Sequence, residues 1–260
     1  MVNSSPGSSE GPTPLTRAAA MVSVPVSSPS VALVAAAASA MVASLYAALI
    51  YAPSDSYQGD VQRLFYLHVP AALTMYVAIT MVFLASILYL QRRESRWDEV
   101  GAAAAEVGTL FGTIVLITGP IWARPIWGTW WTWDARLTSF FILWLIFVAY
   151  LMLRAYGGSP EQVARYCAVL AIIGFLDLPI IHFSVQWWRT LHPQPVLMTE
   201  QGLGANLPGS MLIAFAVGLV STLLLFCVLF LLRLRIERMS RRLLTLRRLL
   251  EGARREGSHE

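Results

Sequence analysis

Lysine is absent from this sequence of 260 residues, so all 19 basic residues are arginines. Charge is scarce altogether: 13% of residues carry one, against about 25% in a soluble domain. Together with 57% hydrophobic residues and a mean hydropathy of +0.60, that shortage excludes a soluble globular domain. Cysteine is nearly missing too. Cys167 and Cys227 both lie inside apolar runs, and no CxxC spacing occurs. This argues against a disulfide, a covalent cofactor attachment and a thiolate metal site, and reads both as small packing residues. The net charge of +4 does not call for nucleic acid, because the arginines have a simpler use in membrane topology.

What the sequence has in quantity is apolar runs. Six of them, at about 31–52, 67–91, 102–123, 138–156, 163–186 and 209–232, each approach the roughly 20 residues of a spanning helix. The fold expected is an all-α integral membrane protein of six transmembrane helices, its membrane domain covering 31–232. Residues 1–30 are rich in Ser, Pro and Gly without apolar periodicity, and read as a disordered tail. The first run follows Arg17 and contains "ASA", as a signal peptide would. It is longer than the usual apolar stretch of one, which favours a retained helix. The segments before run one, between runs two and three, between runs four and five, and after run six hold 15 of the 19 arginines. The alternate segments hold only Arg63, Arg124, Arg136 and Arg189. The positive-inside rule therefore puts both termini in the cytoplasm and turns 53–66, 124–137 and 187–208 outward. Residues 233–260 are a basic cytoplasmic tail. Its Leu243, Leu246 and Leu250 share a helical face, suited to the membrane surface or to a cytoplasmic partner.

The middle outward segment contains "WGTWWTWDARLTS", residues 127–139. Numbered as a helix, Trp127, Trp130, Trp131 and Asp134 stand at i, i+3, i+4 and i+7 on one face, with Trp133 and Arg136 off it. The expected geometry is a helix lying along the outer membrane surface, with Gly128 allowing a close approach. One reading is an interfacial aromatic belt. The other is a platform for a large flat apolar ligand, favoured because four tryptophans fall within seven residues, with Trp122 just before them.

Two of the four histidines sit at the same level. His68, in "FYLHVPAA", is at the outer end of the second run, and His192, in "WWRTLHPQP", is just past the fifth. Two imidazoles beside a flat aromatic surface suit an iron porphyrin with two axial nitrogen ligands. Its carboxylates would want arginines. Arg63 and Arg189 stand nearest those histidines in sequence, with Arg124 and Arg136 the other candidates. Asp134 is badly placed against a carboxylate. It reads as pairing with Arg136 or Arg124, or as capping a backbone turn. His182 lies deeper and reads as a core histidine, while His259 sits near the end of the tail. Asp177, near Pro179 in the fifth run, is either a functional carboxylate or a hydrogen-bonded helix contact.

The run "WGTWWTWDARLTS" resembles the WWD signature of the haem-handling proteins of cytochrome c maturation. "YLHVPAA" and "WWRTLHPQP" are similar to the two histidine segments of one branch, cytochrome c maturation protein C, or haem exporter protein C. The resemblance covers about residues 30 to 232. It implies haem b at the periplasmic face of a bacterial inner membrane, with His68 and His192 as axial ligands. It implies Trp127, Trp130, Trp131, Trp133 and Asp134 in the haem-binding segment, and a binding and transfer role rather than enzymatic catalysis. The partners implied are a membrane-anchored periplasmic haem chaperone, the ATPase and permease subunits of an ABC transporter, and a small single-span subunit, with no nucleic acid. The competing classes are a b-type transmembrane electron carrier and a cofactor-free solute permease. The first would need haems near both faces, and the inner half of the membrane holds no histidine. The second would leave the pairing of histidines with tryptophans unexplained.

Overall fold

The computed structural model describes residues 28–192, 198–199, 202–203 and 207–256. Six stretches are long and apolar enough to cross a membrane: Val31–Tyr51, Asp60–Arg92, Ser95–Trp127, Ala135–Tyr156, Pro160–Trp187 and Gly209–Gly252. They match the six apolar runs one for one, and the chain is an all-α, multi-pass membrane protein. The tail expected over 1–30 lies outside the described residues as far as residue 27, as do Pro193 and His259. Residues Pro29–Leu234 form one compact unit, and the chain from Arg235 belongs to a second.

The helices are α1 (Val31–Tyr46), α2 (Phe65–Arg92), α3 (Ser95–Trp127), α4 (Ala135–Tyr156), α5 (Pro160–Phe175), α6 (Asp177–Trp187) and α7 (Gly209–Glu256). Among the described residues, β structure is confined to an Asp55–Gly59 bridge and the two-residue antiparallel pair β1 (Met198–Thr199) and β2 (Gly202–Leu203). The Ser30 hydroxyl caps α1 by accepting from the Leu33 amide at 3.1 Å, satisfying a donor the helix cannot pair internally. At its other end α1 loosens into a π turn, Ala47–Tyr51. Arg63 donates to the carbonyls of Ala48 (2.6 Å) and Ala52 (3.1 Å) there.

Two boundaries differ from the expected ones. The arginine-rich stretch after the second run is helical on both sides of a two-residue joint, Arg93–Glu94, with Arg93 left-handed at φ 56°. Hydropathy marks the membrane's apolar slab, whereas helices continue past it when charges suit their ends. Arg92 in the last turn of α2 and Asp98 in the first turn of α3 both match the helix dipole. The fifth run is two helices, α5 and α6, broken at Leu176. Pro179 has no N–H for the Phe175 carbonyl, and its ring crowds that oxygen.

Packing follows membrane rules: small residues let backbones approach, and polar side chains bond across helices. A Cβ on Gly108 of α3 would stand 2.9 Å from the Ala78 Cβ of α2, and one on Gly112 would stand 3.0 Å from the Met75 sulfur. The α2–α3 seam continues through buried Val82 and Phe111. Pro70 removes the N–H that would have bonded the Tyr66 carbonyl. Gly218 of α7 fits against that oxygen so closely that a Cβ would lie 2.7 Å from it. Thr74 donates to Thr222 at 3.0 Å beside this contact. Trp144 of α4 donates to Thr113 of α3 at 2.9 Å. Near the first turn of α3, buried Asp98 takes both guanidinium arms of Arg154, at 2.8 and 3.3 Å. Glu106 pairs with Arg233 of α7. Both cysteines are free.

Candidate functional site

The tryptophan-rich run is not a surface helix. Gly128, at φ 75°, ends α3, its amide bonding the Arg124 carbonyl at 3.0 Å. Only glycine adopts that backbone cheaply. Arg124 turns its guanidinium onto the Gly128 carbonyl. Residues 129–134 then run without helix. Asp134 starts α4: its Oδ1 accepts from the Leu137 amide at 3.0 Å, and its Oδ2 accepts from the Thr132 hydroxyl at 3.0 Å. The single helical face expected for Trp127, Trp130, Trp131 and Asp134 therefore does not form. Trp127 belongs to α3, Trp130 and Trp131 to a loop, and Asp134 to a cap, as one reading of it held.

Within that loop the rings divide. Trp130 and Trp133 are 59% and 74% exposed. Trp131 is half-buried, edge-on to Trp133 at 5.8 Å and to Phe141 at 6.2 Å. Phe141 in turn stacks on Trp144. The Thr129 hydroxyl donates to the Trp131 carbonyl at 3.1 Å.

His68 lies in the first turn of α2. Its Nδ1 is 2.9 Å from the Thr118 hydroxyl of α3. Trp122, one turn further along α3, stands edge-on to its ring at 5.7 Å. The Trp122 indole is itself oriented by donation to Gln58 at 2.9 Å. His192 lies in the irregular segment beyond α6, half-buried, with its amide bonded to the Thr190 hydroxyl at 3.1 Å. Its ring meets Trp127 at 6.2 Å. Both histidines thus rest against the same end of α3, on tryptophans five residues apart. At about 1.5 Å per residue that is about 7.5 Å along the helix.

Of the four candidate arginines, Arg136 is the one whose charge acts on His68. It also interacts with Tyr76 and Asp134. Its Nη1 is buried without a hydrogen-bond partner among the described residues, and so are the Trp131 indole nitrogen and the Thr138 hydroxyl. Three unmatched polar groups within eight residues, two of them pure donors, suit an anion. Such orphaned groups are rare in a finished structure. Arg63 instead holds the end of α1, with Asp60 as ion partner at 3.1 Å. Arg189 is exposed beyond α6. Asp177, at the α5–α6 break, has a buried Oδ2 without a partner among the described residues. His182 sits in α6, edge-on to Phe183 at 5.0 Å.

Sequence reasoning assigned no role to Thr118, Gln58 or Tyr76. Thr118 and Trp122 do share a face at i, i+4, but nothing local ties either to a histidine some 50 residues away.

The family model of heme exporter protein C matches residues 15–249 of this chain. The chain is 42% identical to the heme exporter protein C of Bradyrhizobium diazoefficiens over 196 residues, covering 75% of this chain and 73% of that protein. It is 39% identical to the heme exporter protein C of Escherichia coli K12 over 150 residues, 58% of this chain and 61% of that one. A putative cytochrome c biosynthesis ccmC-like mitochondrial protein of Arabidopsis thaliana is 35% identical over 193 residues, 74% and 72% of the two chains.

Proposed function

The chain belongs to the heme exporter protein C family, and from that membership we propose that it binds haem b between His68 and His192 and presents it for cytochrome c maturation. Haem is the cargo, and the chain is a binding and transfer component rather than an enzyme. The tryptophan-bearing end faces the periplasm of a bacterial inner membrane, and both termini lie in the cytoplasm. Residues 31–232 form the haem-handling domain, and 233–260 form a basic cytoplasmic tail. A membrane-anchored periplasmic chaperone receives the haem. The ATPase and permease subunits of an ABC transporter and a small single-span subunit complete the assembly.

One observation carries the reading: two histidines from separate segments rest on the same end of α3, beside a half-buried arginine that acts electrostatically on one of them. The donor set fits the ligand. Imidazole nitrogens suit haem iron. Arg136 Nη1, with the Trp131 indole N–H and the Thr138 hydroxyl, offers unmatched polar atoms to a carboxylate, the group a guanidinium binds best. Arg136 therefore ranks ahead of Arg63, whose N–H groups serve the end of α1. The exposed rings of Trp130 and Trp133 supply apolar area at the rim, where a chaperone would have to reach.

The test is an absorption spectrum of the purified protein, oxidised and reduced, with haem counted per chain. About one six-coordinate haem is expected. His68→Ala and His192→Ala should each lower bound haem and stop chaperone loading. Full haem retention in both variants would falsify the ligand assignment. Trp130→Ala with Trp131→Ala should impair loading. Unchanged loading would reduce the segment to an interfacial belt.

A further inference from the structure

We propose that Thr118 selects the tautomer of His68, holding its proton on Nδ1 and leaving the lone pair on Nε2. The consequence for haem rests on His68 being a ligand, as proposed above. The tautomer itself does not.

The Thr118 oxygen is shared. It lies 2.8 Å from the Ile114 carbonyl one turn back and 2.9 Å from His68 Nδ1. A hydroxyl has one hydrogen to give and two lone pairs with which to accept. With the proton on Nδ1, both contacts are hydrogen bonds: Nδ1–H donates to Thr118, and Thr118 donates to Ile114. With the proton on Nε2, Nδ1 and the Ile114 carbonyl compete for a single hydrogen, and one contact sets lone pair against lone pair. Thr118 is 7% exposed, so water is a poor substitute for the lost bond.

The ring is also held in place. Gly119 leaves room for it, since a Cβ there would stand 3.3 Å from Cε1. Trp122 closes the side one turn on. Residues 118, 119 and 122 of one helix thus fix the hydrogen bond, the seat and the flank of one imidazole. Thr118 is a positioning residue. It presents Nε2 as a neutral donor to iron, and accepting a hydrogen bond from Nδ1–H raises the basicity of Nε2.

The chain has four histidines, few enough for 15N-histidine spectra of the full-length protein in lipid bilayers at about pH 8, where a free imidazole is neutral. His68→Gln identifies the His68 signals. The wild type should show a protonated Nδ1 and a bare Nε2 at His68. Thr118→Ser should keep that pattern. Thr118→Val should lower the Nδ1–H to Nε2–H ratio by about threefold to tenfold, the value of one net hydrogen bond. A wild-type His68 carrying its proton on Nε2 would overturn the proposal, and that spectrum decides the matter even where the valine variant does not insert. An unchanged ratio in Thr118→Val would overturn it as well.

Bound haem gives a second readout. Loss of the Nδ1–H bond should weaken ferric relative to ferrous binding by about tenfold, a rise of about 59 mV for a one-electron couple, with serine restoring the wild-type potential. A chain that takes up no haem would defeat the functional reading and leave the tautomer result standing. Haem ligated by His68 at an unchanged tautomer ratio in Thr118→Val would defeat only the role of Thr118.

Discussion

Replacing Asp134 by alanine removes two hydrogen bonds at the point where the tryptophan loop becomes α4. The Leu137 amide loses its acceptor at Oδ1, and the Thr132 hydroxyl loses Oδ2. An N-cap is worth about 1 kcal/mol, and a second, half-exposed hydrogen bond adds about 1 kcal/mol more. The first turn of α4 should then open about 2 kcal/mol more easily, or roughly 30-fold more often. Arg136 and Thr138 lie in that turn, so the unmatched polar groups of the site open with it. Amide exchange resolved at Leu137 is the assay. Asp134→Ala should speed it by about 10- to 30-fold, while Asp134→Asn, still a good cap, should stay within about threefold of wild type. Haem retention should follow the same order. Asn exchanging as fast as Ala would refute the capping account and point to the carboxylate charge acting on Arg136. Ala exchanging as slowly as wild type would show the turn is held by other contacts.

Other outcomes follow from particular contacts. Arg136→Ala should weaken haem binding about tenfold or more, with Arg136→Lys recovering only part, because lysine cannot make a forked contact; equal affinity in all three would remove the carboxylate role. Gly218→Leu should disrupt the seating of α7 against the Tyr66 carbonyl, read as a lower melting temperature; an unchanged one would show that the helix shifts without cost. Asp98→Ala removes the buried carboxylate that takes both guanidinium arms of half-buried Arg154 and should destabilise the fold by about 1–3 kcal/mol. Haem bound by the surviving folded fraction should keep its wild-type spectrum, since neither residue touches the histidines.

The spans were legible because a bilayer imposes one demand, about 20 apolar residues, and the chain meets it six times. The tryptophan loop was misread although its punctuation is present. Glycine after Trp127 and aspartate before "ARLTS" are ordinary helix stop and start signals. A helical numbering that fitted the rings across both hid them. Position 134 was partly legible, since a cap was one of its expected uses. The arginines were harder. Arg63 is drawn to Ala48 and Ala52 by a π turn that no local pattern announces, and nearness to His68 in sequence said nothing about it. Arg136 stands 68 positions from His68, and its charge acts there only because α4 folds back beside α3. The Thr118 contact is of the same kind, a pairing made by two helices meeting.

The aromatic distribution gives the protein a built-in optical gauge. Of its nine tryptophans, Trp122, Trp127, Trp130, Trp131 and Trp133 flank the α3–α4 junction, and Trp187 and Trp188 close α6. Trp144 joins that cluster through Phe141. Trp97 alone sits at the start of α3, with the guanidinium carbons of Arg92 and Arg96 at 6.0 and 5.0 Å from its ring centre. Thirty helical residues, about 45 Å, separate it from Trp127. A porphyrin bound near the junction would drain the excited state of the clustered rings and leave the distant one bright. Emission from the unlabelled chain should therefore fall on loading and recover on hand-over, so that cargo transfer can be timed with no dye attached.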